Sequence, residues 1–176
     1  MLENLKGDIH RLKFDKKTSS IILFVKGVLL DNGFLSVVIY RMAHCCFRKG
    51  IRFIPSILQR LDIFLTSVDI SYRAEIGSGL RIAHGVGVVI GDTVRIGKNA
   101  VILQNVTIGE KSFLTDRAPV IGNNVLIGAG AKVLGDIRVG DNAKIGVNAV
   151  VVQSIPAGSV VMCAPPEIHS DLSKTG

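Results

Sequence analysis

The stretch Val120–Val151, VIGNNVLIGAGAKVLGDIRVGDNAKIGVNAVV, returns an aliphatic side chain at every sixth position: Ile121, Ile127, Val133, Val139, Ile145 and Val151. The same rhythm runs upstream through Ile90, Ile96, Ile102 and Ile108, and before that through Ile70, Ile76 and Ile82. Six is even, so in an extended chain each return points to the same side. A short fixed period marks a parallel β-solenoid, whose coils bury their inner face only by stacking on one another. Glycine follows the aliphatic residue at Gly91, Gly97, Gly109, Gly122, Gly128, Gly140 and Gly146, as a tight corner demands. An ordinary sandwich of alternating strands has no reason to keep one spacing for so long. The expected fold is mainly β, a solenoid over residues 68–162.

Composition agrees with a narrow aliphatic core. The 176 residues are 48% hydrophobic and 20% charged, with 5% aromatics and no tryptophan, so isoleucine and valine must fill the interior. The net charge of +7 is uneven: residues 1–68 hold 11 Lys/Arg against 5 Asp/Glu, and residues 69–176 hold 10 against 9. A basic, apolar N-terminal region suits an anionic membrane surface or an anionic substrate. No zinc-finger, homeodomain or RNA-binding signature accompanies the charge, so nucleic acid is not an expected partner. Cys45, Cys46 and Cys163 form neither a disulfide framework nor, without a His pair at ligand spacing, a metal site. The opening MLENLKGDIHRLK has no apolar signal-peptide core, and Lys26, Asp31 and Asn32 interrupt the run Ile21–Ile39, so a cytoplasmic protein is expected.

Residues 1–67 read as a helical region. Residues 1–18 are polar and expected to be irregular; Ser19–Leu30, Phe34–Arg48 and Ile54–Thr66 carry apolar residues at helical spacing. Asp31-Asn32-Gly33, Lys49-Gly50 and Pro55 supply the breaks. This region is expected to cap one end of the solenoid, where unpaired strand edges need cover. Residues 163–176 form a polar tail.

The rhythm breaks twice. From Ile82 to Ile90 the step is eight, around His84-Gly85, and from Ile108 to Ile121 it is thirteen, leaving a loop over Glu110–Pro119. Extrusions on a rigid scaffold are where sites sit, and a separation of little more than one coil suggests one shared site. His84, flanked by glycine, is a side chain of the type most often used as a general base. Asp69, fifteen residues earlier, falls in the preceding coil, where a carboxylate could orient the imidazole. A structural histidine and a turn aspartate are the plainer alternatives.

The stretch Asp69-Ile70-Ser71…Glu75-Ile76-Gly77-Ser78-Gly79-Leu80…His84-Gly85…Gly87-Val88-Val89-Ile90-Gly91 resembles the active-site stretch of serine acetyltransferases. So do Ile127–Gly135, Ala143-Lys144-Ile145-Gly146 and, upstream, Tyr40-Arg41-Met42-Ala43-His44. The resemblance implies a left-handed hexapeptide β-helix, a homotrimer with active sites between subunits, acetyl-coenzyme A as co-substrate and no metal. It places the catalytic histidine on His84 and its orienting aspartate on Asp69. It places acceptor binding on Arg117 and coenzyme contacts on Gly109, Ala129, Lys144 and Val147.

Two positions depart from the family pattern. Its members usually carry Asp directly before the histidine and His after the loop arginine; here these are Ala83 and Ala118. Both losses remove polar groups that would hold an amino acid, and both are similar to the short members of the family that act in exopolysaccharide and capsule synthesis. The expected function is therefore acetyl transfer to a sugar hydroxyl. The alternatives are serine O-acetylation in cysteine synthesis and a non-catalytic scaffold. A small-molecule or glycan acceptor, and peripheral contact of the basic N-terminal region with the inner face of the membrane, complete the expectation.

Overall fold

The structure, a computed structural model, describes residues 2–12, 19–111 and 117–164. Four helices precede the strands among these residues: α1 (Leu2–His10), α2 (Ser20–Leu30), α3 (Asn32–Arg48) and α4 (Phe53–Thr66). Fourteen strands of two or three residues follow, from β1 (Asp69–Ile70) to β14 (Val160–Val161). Each strand is one side of a triangular coil, so all pairing is parallel and between coils. The first face, sheet A, orders β1-β4-β7-β10-β13, where β4 is Val89–Ile90, β7 Thr107–Gly109, β10 Lys132–Leu134 and β13 Val150–Val151. Sheet B orders β2-β5-β8-β11 (Glu75–Ile76, Arg95–Ile96, Val120–Ile121, Arg138–Val139). Sheet C orders β3-β6-β9-β12-β14, with β3 Arg81–Ala83, β6 Val101–Leu103, β9 Leu126–Ile127 and β12 Lys144–Ile145.

The register stacks the six-residue ladder on itself. Ile70, Ile90, Ile108, Val133 and Val151 form one column; Ile82, Ile102, Ile127, Ile145 and Val161 form another. Burying each aliphatic side chain contributes roughly 1.5–3 kcal/mol. A second buried ladder lies two residues before the first, at Val88, Val94, Ala100, Val106, Val125, Ala131 and Ala143. These smaller residues fit the corners.

The helices close the open edge of the first coil. β2 is the edge strand of sheet B, and its neighbourhood exposes carbonyl groups without a strand partner. Three side chains of α3 meet them. Tyr40 Oη donates to the Ala74 oxygen at 2.7 Å, and Arg41 donates to the oxygens of Ile76 at 2.5 Å and Gly77 at 2.6 Å. His44 Nδ1 lies 2.9 Å from the Tyr72 oxygen. Burial pushes the Tyr40 phenol up to about 12.

Residues 2–10 are helical rather than irregular, and the reason is Asp8. Its buried carboxylate pairs with Arg41 Nε at 3.0 Å and accepts from the Gly79 and Leu80 amides at 2.8 and 3.0 Å. With a further bond from Arg41 Nη2 at 3.3 Å, four hydrogen bonds from three residues hold α1 on the coil. α3 begins at Asn32, earlier than the apolar pattern suggests, because Asp31 caps it by accepting from the Phe34 amide at 2.9 Å. α4 is inverted relative to an ordinary surface helix. Asp62 and Thr66 face inward, while Phe53, Ile57, Leu61 and Phe64 face outward. Of the polar tail, residues 165–176 lie outside the described residues.

Candidate functional site

One corner of the triangle, where sheet C turns into sheet A, gathers the chemistry. His84 follows β3 directly, and its backbone is left-handed at φ 55°. A non-glycine residue rarely adopts this conformation, which costs of order 1–3 kcal/mol when the surroundings impose it. Here the imposing group is Gly85: a Cβ there would meet Val68 and Ile82 side chains at 2.8 and 2.9 Å, so the chain hugs the core at residue 85 and throws residue 84 outward. The imidazole is exposed.

The corners below it stack in register. The Asn105 amide donates to the Val86 oxygen at 3.0 Å, the Gly130 amide to Gln104 at 2.9 Å and the Asn148 amide to Ala129 at 2.8 Å. His84, Gln104, Ala129 and Val147 thus belong to one edge running down successive coils. Beside His84 lies a cleft of about 690 Å³, lined by the α2–α3 junction (Asp31, Asn32, Gly33) and by Arg81, His84 and Gln104. Gly33 is required there, because a Cβ would overlap the carbonyl oxygen of Ile82. The start of α3 therefore forms a wall of the cleft.

The structure makes no hydrogen bond between His84 and Asp69 among the described residues. Asp69 Oδ1 instead accepts from Gln59 Nε2 of α4 at 2.6 Å. Asp69 stands on the outer face of β1, level with Val89, five residues past His84, and α4 reaches it there. Behind it Asp62 is buried and accepts from Ser36 Oγ and Thr66 Oγ1, both at 2.8 Å. Burial, with a smaller contribution from the Asp69 charge, pushes Asp62 up to about 6.

The remaining expected residues divide between two corners. Ala129 and Val147 share the His84 edge, and Lys144 is exposed on β12 three residues before Val147. Gly109 ends β7 at the far side of sheet A, paired with Leu134. Arg117 is exposed near that far corner, with Nη1 2.9 Å from Asp136 Oδ2. The two breaks in the rhythm therefore do not meet within one chain. The first lies between sheets C and A and the second between A and B, and residues 112–116 of the second lie outside the described residues. Ala83 is half-buried and Ala118 packs into the core. Sequence reasoning passed over Asp31 and Gln104. A cap before a helical run signalled the first; nothing local signalled the second.

Family models match the chain twice. "Bacterial transferase hexapeptide (six repeats)" covers residues 118–153, and "Hexapeptide repeat of succinyl-transferase" covers 87–115. A Helicobacter pylori protein named serine acetyltransferase is 46% identical over 136 residues, 77% of this chain and 80% of that protein. One from Mycobacterium tuberculosis is 36% identical over 96% of this chain and 73% of its own length. The crystal structure of serine acetyltransferase from Brucella abortus superposes with a TM-score of 0.82 at 35% identity, covering 93% of this chain and 66% of that one. The serine complex of the Neisseria gonorrhoeae enzyme gives 0.82 at 33%, covering 95% and 68%. The chain thus spans about two thirds of the length of these solved structures. The hexapeptide matches identify the solenoid as a left-handed β-helix.

Proposed function

This chain belongs to the serine acetyltransferase family of hexapeptide-repeat O-acetyltransferases, and we propose that it transfers acetyl from acetyl-coenzyme A to the hydroxyl of L-serine. The observation that carries the reading is His84, forced outward on a left-handed residue at the mouth of a cleft. It stands on the same edge as Ala129 and Val147. Its imidazole takes the proton from the acceptor hydroxyl while that oxygen attacks the thioester carbonyl. The tetrahedral oxyanion collapses, coenzyme A leaves as the thiol, and the imidazolium returns the proton to its sulfur. The groove below His84 supports coenzyme binding through the backbone of Ala129 and Val147, with the exposed Lys144 ammonium toward the phosphates. Gly109 and Arg117, at the far corner, fit the same site when a neighbouring subunit presents them, which is the reason to expect a homotrimer. Asp69, which accepts from Gln59 in this structure, keeps the role of orienting residue on the strength of the family resemblance alone.

The acceptor is a change from the sugar favoured by sequence alone. The names of the relatives support serine, while Ala83 and Ala118 favour a sugar as the second reading. Coenzyme A release measured with L-serine, nucleotide sugars and oligosaccharides separates them. Saturable turnover with L-serine is expected; turnover with the saccharides alone would overturn the proposal. A failure to bind coenzyme A at millimolar concentration would return the chain to the scaffold reading.

No single described helix is long and apolar enough to cross a membrane. The outward apolar row of α4, with exposed Lys26, Arg48, Lys49, Arg52 and Arg60, supports peripheral contact of the helical region with an anionic surface inside the cell.

A further inference from the structure

We infer that Asp31, together with the side-chain oxygen of Gln104, forms a cationic-amine subsite in the His84 cleft, so that the acceptor is a zwitterionic hydroxy amino acid; this rests on the acetyl-transfer reading of that cleft. Ala83 leaves no carboxylate beside the imidazole. The α2–α3 junction supplies one from a different direction, because Asp31 lines the same cleft. Its cap to the Phe34 amide uses Oδ1 alone. Among the described residues it forms no ion pair, although Arg81 lines the cleft too.

Each charge has a bond of its own, Asp31 through the cap and Arg81 by donating Nη1 to the Arg11 carbonyl at 3.0 Å, and the two form no ion pair with each other. Gln104 adds a buried Oε1 that has no hydrogen-bond partner. Buried polar atoms are seldom left unpaired, so this oxygen calls for a donor. A sugar hydroxyl brings one donor and no charge. An ammonium brings three donors and a positive charge, matching one carboxylate and one amide oxygen. The guanidinium of Arg81 suits the carboxylate of the same molecule. A cleft with an uncollapsed pair of opposite charges fits a zwitterion and disfavours a neutral glycan.

Asp31→Asn isolates the proposed role, since asparagine caps a helix about as well as aspartate. The readout is the ratio of kcat/KM for L-serine to that for 3-hydroxypropanoate, which lacks only the ammonium. In Asp31→Asn this preference should fall on the order of 10- to 100-fold, as expected for losing a charge-assisted bond. Thermal melting checks the fold, and Asp31→Ala, which also loses the cap, should lower the melting temperature as well. An unchanged ratio in a folded Asp31→Asn enzyme overturns the inference. If the protein acetylates neutral saccharides, rejects L-serine and is indifferent to Asp31→Asn, the subsite fails while acetyl transfer stands. If His84→Ala keeps its turnover, the reading of the cleft itself fails, whatever Asp31 does.

Discussion

Replacing Arg41 by methionine removes the guanidinium that ties α1, α3 and the first coil together. The side chain is 3% exposed and its partner Asp8 is 0% exposed, so neither charge has water to fall back on. Breaking one side of such a pair costs about 3–5 kcal/mol, because the other charge is left buried. The carbonyls of Ile76 and Gly77 also lose their donors. The first is buried and adds about 1 kcal/mol or more; the second is partly wet and adds little. A loss of about 4–6 kcal/mol follows, which for a chain of this size lowers Tm by roughly 10–20 °C. Urea unfolding followed by far-ultraviolet circular dichroism measures it, at one fixed protein concentration because the proposed homotrimer would make stability concentration-dependent. Adding Asp8→Asn removes the stranded charge while keeping an acceptor for the Gly79 and Leu80 amides. The double variant should therefore regain part of the loss. A loss below about 1 kcal/mol for Arg41→Met, typical of an exposed pair, would refute the buried clamp.

Asp62 gives a pH dependence of defined sign. Its folded value of about 6 exceeds the ordinary 3.8, so its contribution is fully present below 3.8 and is lost as pH rises through 6. Wild type should lose roughly 2 kcal/mol relative to Asp62→Asn between pH 4 and 7, read from denaturant midpoints; parallel profiles would exclude it. Gly33→Ala should separate α3 from β3, because the added methyl meets the Ile82 carbonyl. Its activity should fall more steeply than its stability, and a variant with normal KM for the acceptor would show that this wall does not shape the cleft. Tyr40→Phe strands the Ala74 carbonyl, and should cost about 1–3 kcal/mol in the same unfolding assay.

The solenoid was legible because one physical constraint repeats. An inward aliphatic residue every six positions leaves few other folds, and Ile70 through Val151 stack as that spacing requires. That a helical region caps the solenoid was legible from its spacing and from the open strand edge, but the bonds that fasten it were not: Tyr40, Arg41 and His44 look like any polar residues in a helix until the carbonyls they serve are in place. Asp8 hid for the same reason, since its partners Gly79 and Leu80 lie some seventy residues away. Within the site, His84 could be found because an insertion in a strict rhythm stands out. A distance counted in coils does not say which corner of the triangle each residue occupies: within one chain the two insertions stand at different corners, and the proposed site joins them only across neighbouring subunits. Asp31 and Gln104 come from different layers, and only the packing of α3 on β3 brings them to one cleft. The partner that Asp69 has in this structure is Gln59, a residue with no marker in the sequence.

The most direct measurement is the steady-state rate of coenzyme A release by His84→Ala with L-serine as acceptor, alongside coenzyme A binding and the molecular mass in solution. If the exposed imidazole is the general base, turnover should fall by about 10²–10⁴-fold while binding and assembly persist. Near-normal turnover in an assembled, coenzyme-binding variant would contradict it, and the outward histidine would be a feature of the corner alone.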